Sequence, residues 1–145
     1  MMKIASINIS EKKGVVKNPV KNAVFKEDFG IVGDAHAGPG IRQISLLSKE
    51  DVDEFKKNPL LKVCIKEGSF GENLTTLGVD YTKLKLGDRL KINDVVLEIS
   101  KFGKECHVQC SIGKSTGDCI MPKKGVFAIV INGGEVKVGD EIRLL

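Results

Sequence analysis

Tryptophan is missing from this chain, tyrosine occurs once, and aromatic residues of all kinds make up 5% of it. Few rings means few platforms on which bases could stack. The 23 basic residues are interspersed with 19 acidic ones and form no arginine-rich tract, so nucleic acid is not expected as a partner. Also absent is any apolar run near the roughly 18 residues that a membrane span requires, and no membrane association is expected. The first residues, Met1-Met2-Lys3-Ile4-Ala5-Ser6-Ile7-Asn8, alternate in polarity. They lack the basic start and continuous apolar stretch of a signal peptide, and a cytoplasmic location is the expectation. In that compartment the four cysteines read as thiols, ligands or catalytic groups in preference to two disulfides. Cys64, remote from the others, reads equally well as a small buried apolar residue.

What is present suits one domain spanning residues 1–145, with 41% hydrophobic and 29% charged residues. A chain of this size buries roughly 68–70% of its unfolded surface, enough for a full core. The net charge of +4 is compatible with a small anionic ligand.

The patterning is that of short strands. Residues 3–9 alternate and predict a first strand. Residues 12–25, with Gly14, Pro19 and several lysines, read as a loop entering a short strand near Ala23-Val24-Phe25, the lysines being solvated surface. Arg42-Gln43-Ile44-Ser45-Leu46-Leu47 predicts a strand. Ser48 then caps a helix over residues 49–57, whose acidic first turn and basic last turn suit the helix dipole and which Asn58-Pro59 ends. Leu86-Gly87-Asp88-Arg89-Leu90-Lys91-Ile92, an Asn93-Asp94 turn and Val95-Val96-Leu97-Glu98-Ile99-Ser100 predict a hairpin. Residues 126–131 and 135–138 echo that arrangement around Asn132-Gly133-Gly134. Val138-Gly139-Asp140-Glu141-Ile142-Arg143-Leu144 repeats the apolar-Gly-Asp pattern of residues 86–92, which reads as a recurring strand-entry turn. One clear helix among about eight short strands predicts a mainly β barrel.

Three stretches carry candidate chemistry. Gly33-Asp34-Ala35-His36-Ala37-Gly38 crowds an acid and an imidazole among turn-forming residues; taken alone, Asp34 caps a turn and His36 is a surface ring. Glu72 and Asn73, in the glycine-punctuated stretch 67–76, either face a ligand or satisfy the backbone of their own turn. Lys104-Glu105-Cys106-His107-Val108-Gln109-Cys110, followed by Gly117-Asp118-Cys119, holds three of the four cysteines and one of the two histidines. Cysteine reacts as the thiolate, which cationic neighbours such as Lys101, Lys104 and His107 favour when they are also close in space. Cys106 is the candidate nucleophile or soft-metal ligand. The order C-H-x-x-C is not the C-x-x-C-H of a c-type haem site. A structural zinc site would need Cys119 with His36 or His107 to complete the Cys106 and Cys110 pair, and a third reading has all three thiols merely packed.

The chain resembles the MOSC domain, the module named for the C-terminal part of eukaryotic molybdenum cofactor sulfurase, in its small stand-alone bacterial form. The resemblance runs from about Lys3 to Leu145. It is carried by Gly33-Asp34-Ala35-His36-Ala37-Gly38, Arg42-Gln43-Ile44-Ser45-Leu46-Leu47, Ser69-Phe70-Gly71-Glu72-Asn73-Leu74, Leu86-Gly87-Asp88, Lys104-Glu105-Cys106 and Gly117-Asp118-Cys119-Ile120-Met121-Pro122. It implies a MOSC-like β-barrel with one or a few short helices and a role in molybdenum cofactor chemistry. By analogy Cys106 carries sulfur as a persulfide or ligates molybdenum, and Cys110 assists or resolves. Asp34, His36, Arg42, Glu72 and Asn73 line the cleft, and Arg42 and Lys104 meet a pterin phosphate. The resemblance also implies a pyridoxal-phosphate cysteine desulfurase as sulfur donor, with that cofactor on the partner, and molybdenum enzymes or cofactor-synthesis proteins as acceptors. Beside the full-length relatives that the resemblance implies, residues 1–145 match neither the desulfurase domain nor the N-terminal β-barrel partner domain. Sulfur transfer, a small molybdenum-dependent reductase and a zinc-stabilised non-catalytic module therefore remain alternatives of different class.

Overall fold

The computed structural model describes residues 2–13, 15–59, 65–103 and 124–145. All four cysteines, with Lys104 and His107, lie outside the described residues.

The alternation of residues 3–9 becomes strand β1 (Lys3–Ile9). There follow β2 (Asn18–Val20), β3 (Asn22–Lys26), β4 (Gly30–Ile31), β5 (Ile44–Ser48), helix α1 (Lys49–Phe55), β6 (Leu74–Leu77), β7 (Arg89–Ile92), β8 (Val95–Phe102), β9 (Val126–Asn132), β10 (Gly134–Lys137) and β11 (Arg143–Leu144). Eight strands form one curled sheet in the order β11-β7-β8-β9-β5-β6-β1-β2, and three form a second in the order β10-β3-β4. The two ends of the large sheet meet. Lys3 bridges to Glu141, the Ile4 N–H donates to the Asp140 carbonyl (2.9 Å), and the Gly139 N–H donates back to the Ile4 carbonyl (2.8 Å). The mainly β, barrel-like architecture expected from the sequence is thus the one observed, with one α-helix among the described residues.

Strand period two explains where the core sits. Ile44 and Leu46 of β5 face inward with Ile4, Leu74, Leu97, Val126 and Ala128, all at most 1% exposed. Leu47 faces out and packs with Val52 and Phe55 of α1, Ile65, Phe70 and Phe127 in a second cluster. In it the Phe55 and Phe70 rings meet edge to face at 5.4 Å. β5 and β6 are parallel, and parallel neighbours need a crossover. Helix α1 and residues 65–73 supply it, so chain covers the outside of the sheet there.

The expected strand-entry turn recurs as predicted. The Lys85 N–H donates to Asp88 Oδ2 (3.0 Å) and the Lys137 N–H to Asp140 Oδ2 (2.7 Å). Gly87 and Gly139 hold nearly the same left-handed φ, 91° and 93°, and β11 then pairs with β7. Two expectations are corrected. Helix α1 ends at Phe55 with Lys56 as its C-cap, so its last turn contains no basic residue. β9 and β10 do not fold back on each other, because β9 pairs with β5 and β8 while β10 pairs with β3. A Cβ at Gly133 would stand 2.5 Å from the Phe25 carbonyl oxygen: the glycine lets the chain press onto β3 and pass to the second sheet.

A Cβ at Gly87 or Gly139 meets no atom within 4 Å, so alanine at either position carries only the cost of a left-handed backbone, about 1–2 kcal/mol. Gly87→Ala and Gly139→Ala are expected to destabilise the protein equally in chemical denaturation. At Gly68, where φ is +82°, a Cβ would lie 2.2 Å from the Lys17 carbonyl oxygen, and Gly68→Ala is expected to cost clearly more. Equal losses at all three positions would show that the approach of these two loops is not a close contact in solution.

Candidate functional site

The outer face of β1, β5 and β6 is polar yet buried. Ser6, Asn8, Ser10, Ser45, Asn73 and Thr75 are each at most 6% exposed beneath the covering chain, and buried polar groups need partners. Two clusters supply them.

The first is centred on Asp34, in the turn after β4. Its Oδ1 accepts from Lys17 Nζ at 2.6 Å and from the Ser10 N–H at 3.1 Å, and its Oδ2 accepts from Asn73 Nδ2 at 3.1 Å. Lys17 and Asp34 form an ion pair whose side chains are 1% and 0% exposed. Lys17 Nζ also lies 3.2 Å from Ser10 Oγ and 3.0 Å from His36 Nδ1. Asn73 is clamped from the other side: its Oδ1 accepts from the Ser45 N–H (2.9 Å) and its Nδ2 donates to the Asn8 carbonyl (3.2 Å). Burial works to raise the Asp34 pKa, but the hydrogen bonds from Lys17, Ser10 and Asn73 and the charge of Lys17 outweigh it, and the carboxyl lies below its ordinary 3.8.

The second cluster belongs to Glu72. Its carboxylate accepts from the Gly68 and Phe70 N–H groups (3.3 and 3.2 Å) and from the Thr75 hydroxyl (2.9 Å), and no ion pair reaches it among the described residues. Burial dominates here and pushes Glu72 above its ordinary 4.5 in spite of those bonds. A neutral donor does not repay a buried charge as an ammonium does.

The residues singled out in the sequence are therefore divided. Asp34 and His36 come together through Lys17, and Asn73 joins them through Asp34. Glu72 serves the turn that precedes it. Arg42 is exposed and holds its guanidinium 5.6 Å from the centre of the Phe127 ring, within cation–π distance. Cys106, Cys110 and Lys104 lie outside the described residues. Lys17, which joins the cluster, is the residue that sequence reasoning missed: among the lysines of residues 12–25 it was expected on solvated surface, and it is 1% exposed. Nothing local marks it, since its partners are Asp34, seventeen positions on, and Gly68, whose carbonyl accepts its N–H at 3.1 Å. Gln43 was passed over as well. It is 1% exposed, donates to Asp28 Oδ1 (2.8 Å) and accepts from the Val130 N–H (2.9 Å), and so pins the turn that leads to Asp34 against β9. Among the described residues, no group of three or more metal-ligating side chains forms and no helix is long and apolar enough to cross a membrane.

The MOSC domain family matches residues 33–143, and the chain belongs to that family, which is linked in general to molybdenum cofactor chemistry. The uncharacterized protein YflK of Bacillus subtilis (strain 168) is 28% identical over 148 residues, covering 91% of this chain and 63% of YflK. The chain thus spans less than two thirds of that relative. In fold it is similar to the YUAD protein from Bacillus subtilis (TM-score 0.78, 24% identity, 98% of this chain and 94% of that one). It is also similar to YiiM from Geobacillus stearothermophilus (TM-score 0.74, 20% identity, 100% of this chain and 75% of that one).

Asp34→Asn would leave the Lys17 ammonium buried without its counter-charge, and is expected to cost about 3–5 kcal/mol in chemical denaturation. Lys17→Met with Asp34→Asn removes that unpaired ammonium and is expected to recover part of the loss; equal losses in the single and double variants would contradict the ion-pair account.

The two carboxyls also have opposite signs in the pH dependence of stability. The folded pKa of Asp34 is depressed, so its contribution is present above the unfolded value near 3.8 and lost as pH falls through the folded one. The folded pKa of Glu72 is raised, so its contribution is present below about 4.5 and lost as pH rises through the folded value. Asp34→Asn should flatten the acid limb of the stability curve and Glu72→Gln the decline on its less acidic side; a curve unchanged by either substitution would contradict these assignments.

Proposed function

We propose that this MOSC domain is an accessory in molybdenum cofactor sulfuration or handling, with Cys106 bearing the transferred sulfur. One row across the sheet supports the reading. Ser45, which clamps Asn73, pairs with Phe127, and Phe127 pairs with Lys101 near the end of β8. The Gly103 N–H donates to the Gly125 carbonyl at 2.7 Å, so the chain leaves and re-enters the sheet beside the outer-face cluster. Cys106 follows Gly103 by three residues, a length of chain extending at most about 10 Å.

In the carrier reading, the Cys106 thiolate attacks the terminal sulfur of a donor persulfide. The Cys106 S–S bond forms, the donor S–S bond breaks and the donor leaves as a thiolate, with no net oxidation. The donor is a cysteine desulfurase with its own pyridoxal phosphate, and the acceptor is a molybdenum enzyme or its cofactor. For a molybdopterin phosphate, the group that fits is Arg42, whose guanidinium makes no hydrogen bond or ion pair among the described residues and would meet the phosphate in two parallel bonds. Lys104 would add charge. Molybdenum, when bound, would take the Cys106 thiolate as a soft ligand.

Incubation with a desulfurase and cysteine, followed by peptide-resolved mass spectrometry, tests the carrier role. A reductant-sensitive one-sulfur adduct on Cys106, absent from Cys106→Ser, is the expected result. No adduct under conditions that load a control acceptor would end the sulfur-carrier reading.

A further inference from the structure

Strand β8 carries an irregularity that changes which way its end faces. Val95, Leu97 and Ile99 alternate into the core, the last two opposite Val130 and Ala128 of β9, and a strand of period two would send Lys101 after them. The register prevents it. Ile99 pairs with Ala128 but Lys101 pairs with Phe127, two steps on β8 against one on β9, so Ser100 is the extra residue of a β-bulge, a device that re-aims the side chains after it. Directly opposed residues share a face of the sheet, and Phe127 belongs to the outer cluster. Lys101 therefore rises on the outer face beside that ring. The same bulge holds the loop that brings Arg42 there. The Ser100 hydroxyl donates to the Ile41 carbonyl, and Arg42, the next residue, holds its guanidinium 5.6 Å from the centre of the Phe127 ring. A cation–π contact occupies none of the five guanidinium N–H groups. Glu98, the acid of β8, is already paired with Arg89 at 3.2 Å. Neither Arg42 nor Lys101 has a carboxylate partner among the described residues.

We propose that Arg42 and Lys101, both adjoining Phe127, form a binding site for a phosphate dianion, free or as a monoester, with Ser100 as the positioning residue that sets them both. Two cations brought to one ring repel each other, and an anion between them removes that repulsion while accepting a bond from each. Arginine offers paired donors in a plane and lysine a compact charge. A dianion with three terminal oxygens satisfies that combination more fully than a singly charged diester does. Phe127, 6% exposed, shields the side toward the sheet from water, which strengthens both charge contacts. The inference adds Lys101 and Ser100 to the phosphate contact proposed above for Arg42, and rests on that reading only for the molecule that carries the phosphate.

Titration of the labelled full chain with inorganic phosphate, followed by NMR at the backbone N–H and arginine Nε–H signals, tests the proposal, with Arg42→Gln to assign the Arg42 side chain. Saturable shifts at Arg42 and Lys101 are expected, and methyl phosphate should bind more tightly than dimethyl phosphate. Lys101→Gln should weaken phosphate binding by roughly fivefold to tenfold, as loss of a hydrogen bond from a charged group does. Ser100→Ala removes no charge and should weaken binding too, while Ser100→Thr, which keeps the hydroxyl, should restore it. A hydroxyl that served stability alone would leave the affinity of folded Ser100→Ala unchanged, and that result would overturn the positioning role. Shifts spread evenly over the surface lysines, equal binding of monoester and diester, or unaltered affinity in Lys101→Gln would each overturn the site. Tighter binding of methyl phosphate than of inorganic phosphate would assign the site to an esterified ligand, and the reverse to the free ion. Phosphate affinity is expected to be the same in Cys106→Ser, which carries no sulfur, so failure of sulfur carriage and failure of the anion site are separate results.

Discussion

One ion pair joins what the sheet alone leaves unconnected. Lys17 stands at the end of the loop after β1, Asp34 in the turn after β4, and Asn73 at the entry to β6. The Lys17–Asp34 contact at 2.6 Å, with the Asn73 bond at 3.1 Å, draws them together. A buried pair of this kind is not an efficient source of stability, because desolvation of both charges offsets much of their attraction and a well-packed apolar pair often does as well. What it supplies is direction. Asp34 Oδ1, Ser10 Oγ and His36 Nδ1 all lie within 3.2 Å of Lys17 Nζ and fix its place.

The pair can be buried because of the topology. A parallel β5–β6 neighbour in an otherwise antiparallel sheet sends the crossover over the outer face. Residues facing outward on β1, β5 and β6, solvated in a plain meander, are covered. Apolar outward residues such as Leu47 and Phe127 close the second cluster with α1, and the polar ones must satisfy one another. Gly68, whose missing side chain admits the Lys17 carbonyl, is where crossover and loop touch.

Local patterns in the sequence account for most of the fold. Alternation marked β1 and the β7–β8 hairpin, Ser48 marked the helix start, and the twin Gly-Asp turns marked entry to β7 and β11. The split between β9 and β10 was not legible, since Asn132-Gly133-Gly134 serves a hairpin equally well; contact with Phe25, more than a hundred residues earlier, decides it. For the site, Asp34, His36 and Asn73 were marked by motif and meet in space. Lys17 was not, because an isolated lysine beside glycine and proline looks like surface until its partners, distant in sequence, are known. Glu72 sat in a matching motif yet spends its carboxylate on its own turn.

The electrostatic balance of the cluster bears on what it can do. Lys17 and Asp34 carry opposite charges and cancel within 2.6 Å, so little net field from them reaches a ligand, and exposed Arg42 is the uncancelled cation of the motif residues described. Attraction of a charged ligand over distance would then fall to Arg42 and to surface lysines, which salt screens. The ion pair itself, with side chains 1% and 0% exposed, lies beyond that screening.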